Sequence, residues 1–128
     1  MRFGMAIFES QKNFEERSEG LASGYVAAWR AYYQALVAAG VYVGGAPLKG
    51  VETATTVRVK GGRRLVQDGP FAEAKEALGG FLILDVPNLD AALDWAARCP
   101  TAATGAIEVR PVDDAAHDRV TGEPARNG

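Results

Sequence analysis

Two runs of apolar residues at helical spacing, each set between short strand-like runs, constrain this chain more than any other feature. In the first, Leu21, Tyr25, Ala28, Trp29, Tyr32 and Leu36 recur every three or four residues. Ser23, Ala27, Arg30 and Gln34 occupy the other side, and Gly40 stands where a helix C-terminus calls for glycine. In the second, Leu89, Ala92, Leu93 and Ala96 follow Asn88, a good N-cap, and the run stops at Arg98-Cys99-Pro100. Asp90 adds a negative charge at the positive end of that helix dipole.

The segments around these helices read as strands. Phe3 to Phe8, Val41 to Val43 and Phe81 to Val86 are short apolar runs. Ala106 to Val112 alternates, with Ile107 and Val109 out of phase with Glu108 and Arg110. Thr53 to Lys60 and Arg63 to Val66 flank Gly61-Gly62, a hairpin signal. Glu9 to Gly20 reads as a polar loop entering the first helix, and Asp68 to Gly79 as a long connection. The order is that of an α+β, ferredoxin-like βαββαβ protomer, with an antiparallel sheet and an inserted β-hairpin. Tyr42, Val57, Val59, Phe81, Ile83, Ile107 and Val109 offer more apolar strand surface than two helices cover. A second copy of the chain is the simplest cover, so a homodimer is expected.

Composition matters here mainly for what it excludes. A chain of 128 residues suits one domain. The net charge of −2, from 14 basic and 16 acidic residues, gives no basic excess for a phosphate backbone, and the charges are interspersed. Neither nucleic acid nor a membrane surface is an expected partner. One cysteine, Cys99, rules out an internal disulfide and, with no signal-peptide pattern, points to the cytoplasm. A lone His and a lone Cys build no metal site, and the glycines form no phosphate-binding loop, so no metal or cofactor is expected. Residues 113–128 hold few apolar side chains and read as a flexible C-terminal tail.

Three stretches together resemble a known family: Thr55-Thr56-Val57-Arg58-Val59; Asp68-Gly69-Pro70-Phe71-Ala72-Glu73 with Lys75-Glu76 and Leu78-Gly79-Gly80; and Glu108-Val109-Arg110-Pro111-Val112. Residues 1–112 look like a DGPF domain of the YCII-related proteins, in the dimeric α+β barrel superfamily. The second helix, Leu89 to Ala96 with Arg98-Cys99-Pro100, is similar as well. The resemblance implies protomers pairing as a dimeric α+β barrel, with a pocket between helices and sheet near the Asp68 loop. Some relatives use a His–Asp pair for lyase or dehydrochlorination chemistry, and some are linked to extracytoplasmic-function sigma factors. This chain departs from the pattern at Gln67 and Ala74, where threonine is usual. Its single histidine, His117, lies in the tail and does not pair with Asp68.

Asp68 is the first candidate for catalysis, as a general base; the other reading is a turn residue bonding its own backbone. Glu73 and Lys75 either line a polar pocket or form a solvated stretch with Glu76. Arg58 and Arg110 suit a small anionic ligand if they face one cavity, or else pair with Glu108 or Glu52. Phe71, and Tyr33 off the main stripe of its helix, complete the expected ligand-binding set. Cys99 follows a helix C-terminus, which disfavours the thiolate. The sequence thus points to a small-molecule-binding or accessory protein acting as a dimer, with a sigma-factor-linked regulatory partner implied by the resemblance. The alternative is a cofactor-free lyase or isomerase with Asp68 as base.

Overall fold

A computed structural model of the chain describes residues 1–123. Strand β1 (Arg2–Glu9) is the spine of a four-stranded antiparallel sheet. It lies between β5 (Ala77–Asp85) and β6 (Ala106–Pro111), and β2 (Tyr42–Pro47) closes the other edge of β5. The order β2-β5-β1-β6 is the ferredoxin-like arrangement expected from the sequence. Helices α2 (Gly24–Ala38) and α3 (Leu89–Arg98) cover one face. Strict alternation along β1 buries Phe3, Met5 and Ile7, which meet Leu82 and Leu84 of β5, Tyr32 and Leu36 of α2, and Ala92 and Ala96 of α3.

Strands β3 (Thr55–Lys60) and β4 (Arg63–Asp68) form a separate two-stranded sheet. Gly61 and Gly62 take φ of 57° and 74°, which the tight hairpin turn requires and which glycine adopts without steric cost.

Several elements differ from the sequence reading. The stretch after Glu9 is a short helix, α1 (Gln11–Arg17), started by a capping box in which Ser10 and Asn13 bond each other's backbone. Strand β2 continues through Gly44-Gly45-Ala46-Pro47, because β5 offers it a partner edge. Leu21 falls in a single 3₁₀ turn and is 59% exposed, so it is not part of the α2 core stripe. Residues 114–121, expected within a flexible tail, form α4 (Asp114–Thr121). Asp113 caps α4, and Asp114 pairs with Arg2 on β1. The rest of the expected tail, 124–128, lies outside the described residues. Among the described residues, no helix is long and apolar enough to cross a membrane.

The apolar strand residues divide three ways. Tyr42, Ile107 and Val109 pack on the core. Phe81 and Ile83 point to the face away from the helices, where Phe81 is 43% exposed. Val57 and Val59 stand on the hairpin, exposed.

Candidate active site

The alternation that builds the core also builds the site. After Phe3, Met5 and Ile7, the next inward position of β1 is Glu9, only 2% exposed. A carboxylate this deep must be paired or hydrogen-bonded. Arg17 of α1 donates Nη2 to Glu9 Oε1 and also, at 2.7 Å, to the Gly79 carbonyl; its Nη1 reaches the Leu48 carbonyl. From α2, the Tyr25 hydroxyl bonds Glu9 Oε2 and meets the Thr101 hydroxyl, and Trp29 Nε1 donates to Thr101 Oγ1 at 3.2 Å. Thr101 is fully buried.

Gly79 makes room for the pair. The register of β1 with β5 slips between Ile7 and Phe8, whose partners are Gly80 and Leu78, so Gly79 is the extra residue of a bulge. A Cβ there would collide with the Glu9 carboxylate and lie 2.9 Å from Arg17 Nη2. Such a bulge next to a buried ion pair re-aims side chains where a flat ladder would close over them.

Glu9 and Arg17 are the charged lining of a cavity of about 490 Å³ between α2 and the sheet. Its walls are aromatic: Trp29, Tyr32 and Tyr33 from α2 and Tyr42 from β2. Trp29 and Tyr32 pack edge to face at 5.5 Å, as do Tyr33 and Tyr42 at 5.1 Å. Burial, reinforced by the hydrogen bond to Glu9, pushes the Tyr25 hydroxyl up to about 12. It therefore stays protonated at neutral pH and serves as a hydrogen-bond donor. Burial likewise raises Tyr32, whose hydroxyl donates to the Trp95 carbonyl at 2.8 Å. The Cys99 thiol is raised to about 11, above all by burial. Depth in the core thus disfavours the thiolate at Cys99.

Of the residues expected to form a site, Tyr33 lines this cavity and the others do not. Asp68 ends β4 in an exposed position, and the φ of 103° at Gly69 marks the turn that follows. Phe71, Glu73 and Lys75 are exposed, with the Arg58 guanidinium 4.6 Å above the Phe71 ring. Arg110 lies on the opposite face of the sheet, in a shallow depression shared with Glu108. Arg58 and Arg110 thus share no cavity within a protomer: hairpin and sheet are separate, and β6 turns Arg110 outward. Glu9, Arg17 and Thr101 were not singled out from the sequence, and Tyr25 was read there as part of the apolar helix stripe. The available signal was the period of two in β1, which one further step carries from Ile7 to an inward Glu9. Among the described residues, no cluster of three or more His, Cys, Asp or Glu could hold a metal ion.

The chain is similar in structure to 5-chloro-2-hydroxyhydroquinone dehydrochlorinase (TftG) from Burkholderia phenoliruptrix AC1100, solved in complex with 2,5-dihydroxybenzoquinone. The TM-score is 0.54 at 20% identity, over 91% of this chain and 98% of that one, a likeness of fold. An uncharacterised protein of Rhizobium meliloti (strain 1021) is 49% identical over 61 residues, 46% of this chain and 49% of that relative. The match thus spans about half of the curated relative's length. The model of the YCII-related domain matches residues 2–116, nearly the whole described fold, and the chain belongs to that family.

Proposed function

We propose that this protein binds a small, flat, largely apolar organic molecule carrying an ionisable hydroxyl, and that it holds the molecule in the cavity beneath α2. The observation that carries this reading is a 2% exposed carboxylate, Glu9, in the lining of an aromatic cavity of about 490 Å³. Apolar walls with a few fixed polar groups are the usual form of a small-molecule site. The cavity's two charges are paired with each other, which suits a phenol or a hydroxyquinone better than a multiply charged anion. The dihydroxybenzoquinone bound to the dehydrochlorinase of similar fold is a molecule of this class.

A second reading is favoured by one feature, the hydrogen bond that the Tyr25 hydroxyl gives to Glu9. Glu9 can take a proton from a bound hydroxyl and become neutral, which leaves Arg17 to balance the negative charge then formed on the ligand oxygen. In that enzymatic reading, Glu9 replaces Asp68 as the base. In either reading the protein works as a homodimer. The sheet face away from the helices, where Gly4, Ala6, Phe81 and Ile83 lie beside Glu108 and Arg110, is the surface that would meet the partner.

The test is titration with a panel of hydroquinones and hydroxyquinones, followed by tryptophan fluorescence, since Trp29 is in the wall. Saturable quenching in the wild type, weakened at least tenfold in Glu9→Gln, supports the site. Absorbance change of the bound compound on repeated turnover supports the enzymatic reading over simple binding. Equal quenching in both proteins, or none with any compound, overturns the assignment.

A further inference from the structure

The hydrogen bonds around Glu9 run one way. The indole Nε1 of Trp29 can only donate, and it donates to Thr101 Oγ1 at 3.2 Å. The Tyr25 hydroxyl has one hydrogen and gives it to Glu9 Oε2. At the contact between Thr101 and Tyr25 the hydrogen therefore belongs to Thr101, which gives it to the Tyr25 oxygen. The chain from Trp29 through Thr101 and Tyr25 thus ends on the carboxylate, and each hydroxyl in it both receives and gives. Thr101 is fully buried, so solvent offers its hydrogen no second acceptor. Arg17 Nη2 adds its own donation at Glu9 Oε1.

Donors in the cavity wall are spent in the same way. Nη2 of Arg17 gives its other hydrogen to the Gly79 carbonyl, and Nη1 donates to the Leu48 carbonyl. Trp29 is committed to Thr101, and the Tyr32 hydroxyl to the Trp95 carbonyl. Tyr33 and Tyr42 pack together toward the other end: Tyr42 is registered with Leu84, four residues along β5 from Gly80, the partner of Ile7. An ionised carboxylate has about four lone-pair sites and no hydrogen. Arg17 and Tyr25 fill two of those on Glu9, so what Glu9 has left for a ligand is acceptor only.

We propose that the cavity selects by protonation state: it takes a phenol or hydroquinone whose hydroxyl keeps its hydrogen and donates it to Glu9, and it turns away the phenolate and the ionised hydroxyquinone. An oxyanion brings lone pairs and a negative charge to a carboxylate that offers it no donor, and the charge of Arg17 is already matched by Glu9. The inference rests on the preceding reading of the cavity as a small-molecule site and narrows its ligand.

Titration of the ligand can be separated from titration of the protein. The titratable groups facing Glu9 are Arg17 of α1, Tyr25 of α2 and Cys99 at the end of α3. Tyr25 and Cys99 are held up at about 12 and about 11, so neither changes charge between about pH 6 and about pH 9. Arginine keeps its charge throughout. His117, on α4, is outside the cavity lining.

Equilibrium dialysis of the full chain over that pH range tests the proposal with two probes. Hydroquinone keeps its hydrogens across the range, as a tyrosine hydroxyl does, whereas para-nitrophenol loses its one near neutral pH. Hydroquinone, kept under argon, should bind with the same Kd throughout. The Kd of para-nitrophenol should rise by about tenfold for each pH unit above its ionisation, because only the protonated ligand enters. The slope counts the protons in the complex, so it reads the same whether the hydrogen stays on the ligand or passes to Glu9. In Glu9→Gln, whose amide brings a donor and no charge, the slope should vanish. Circular dichroism confirms the fold of the variant, and the wild-type comparison decides the proposal without it. A para-nitrophenol Kd that stays flat or falls overturns selection by protonation state and leaves the small-molecule site standing. So does a rise shared equally by hydroquinone, which puts the titrating group on the protein. Failure of para-nitrophenol to bind even below its ionisation, while hydroquinone binds, has the same consequence. A slope that persists in Glu9→Gln takes the selection away from Glu9 and overturns the assignment. Binding of neither probe at any pH overturns the preceding reading as well.

Discussion

Replacing Glu9 with Gln keeps the shape of the side chain and removes its charge. The carboxylate now receives Arg17 and Tyr25. A glutamine oxygen can accept one of these, and its amide nitrogen then confronts the other donor. Stripping the partner from a fully buried charge costs about 3–5 kcal/mol. Arg17 is not in that position: its side chain is 25% exposed and retains the carbonyls of Leu48 and Gly79. The loss is closer to that of one hydrogen bond to a charged group, about 1.5–3 kcal/mol. We expect a destabilisation of about 2 kcal/mol, which lowers Tm by on the order of 5–10 °C for a chain of this size. Urea unfolding followed by the fluorescence of Trp29 and Trp95 should show a lower midpoint with an unchanged slope. A loss below about 0.5 kcal/mol, the range of an ordinary surface substitution, would mean that water already solvates the carboxylate, and the site built on it would fall.

The remaining predictions concern titration and the Asp68 loop. Tyr25 titrates at about 12 in the folded protein against 10.0 unfolded, so its contribution is present below pH 10 and is lost as pH rises from about 10 to 12. Tyr25→Phe should remove that part of the alkaline loss seen in urea midpoints against pH; an identical profile in both proteins contradicts the assignment. Cys99, raised to about 11, should resist an aromatic disulfide reagent at pH 8 in the native protein and react at once in urea. Rapid native labelling would show that the α3 terminus opens. Asp68→Ala and Asp68→Asn should each change stability by no more than about 0.5 kcal/mol and leave quenching by hydroquinones unchanged, because Asp68 is exposed and outside the cavity lining. A tenfold loss of binding in both variants would return the site to that loop.

The sequence by itself determined the order of the strands and of the two longer helices. Periods of 3.6 and 2, the Asn88 cap, the stop at Gly40 and the Gly61-Gly62 turn are local signals, and each corresponds to the structure because local backbone preference and burial agree there. It did not reveal α1, whose capping box joins Ser10 and Asn13 inside a polar stretch without apolar periodicity. Nor did it reveal α4, which the Asp113 cap starts and whose Asp114 pairs with Arg2 at the other end of the described chain. The candidate site was legible only in part. The DGPF run draws attention because its residue types are conspicuous, yet Gly69 there supplies the positive φ of a turn, and Asp68 stands exposed at the end of β4, outside the cavity lining. The site itself is assembled from β1, α1, α2, the bulge in β5 and the turn after α3, whose side chains meet only when the sheet registers are set. Glu9 followed by Ser-Gln-Lys looks like a solvated strand end. Tertiary structure decided otherwise, because the inward phase of β1 and the missing Cβ of Gly79 together leave a carboxylate nowhere to go but the core, where Arg17 and Tyr25 must meet it.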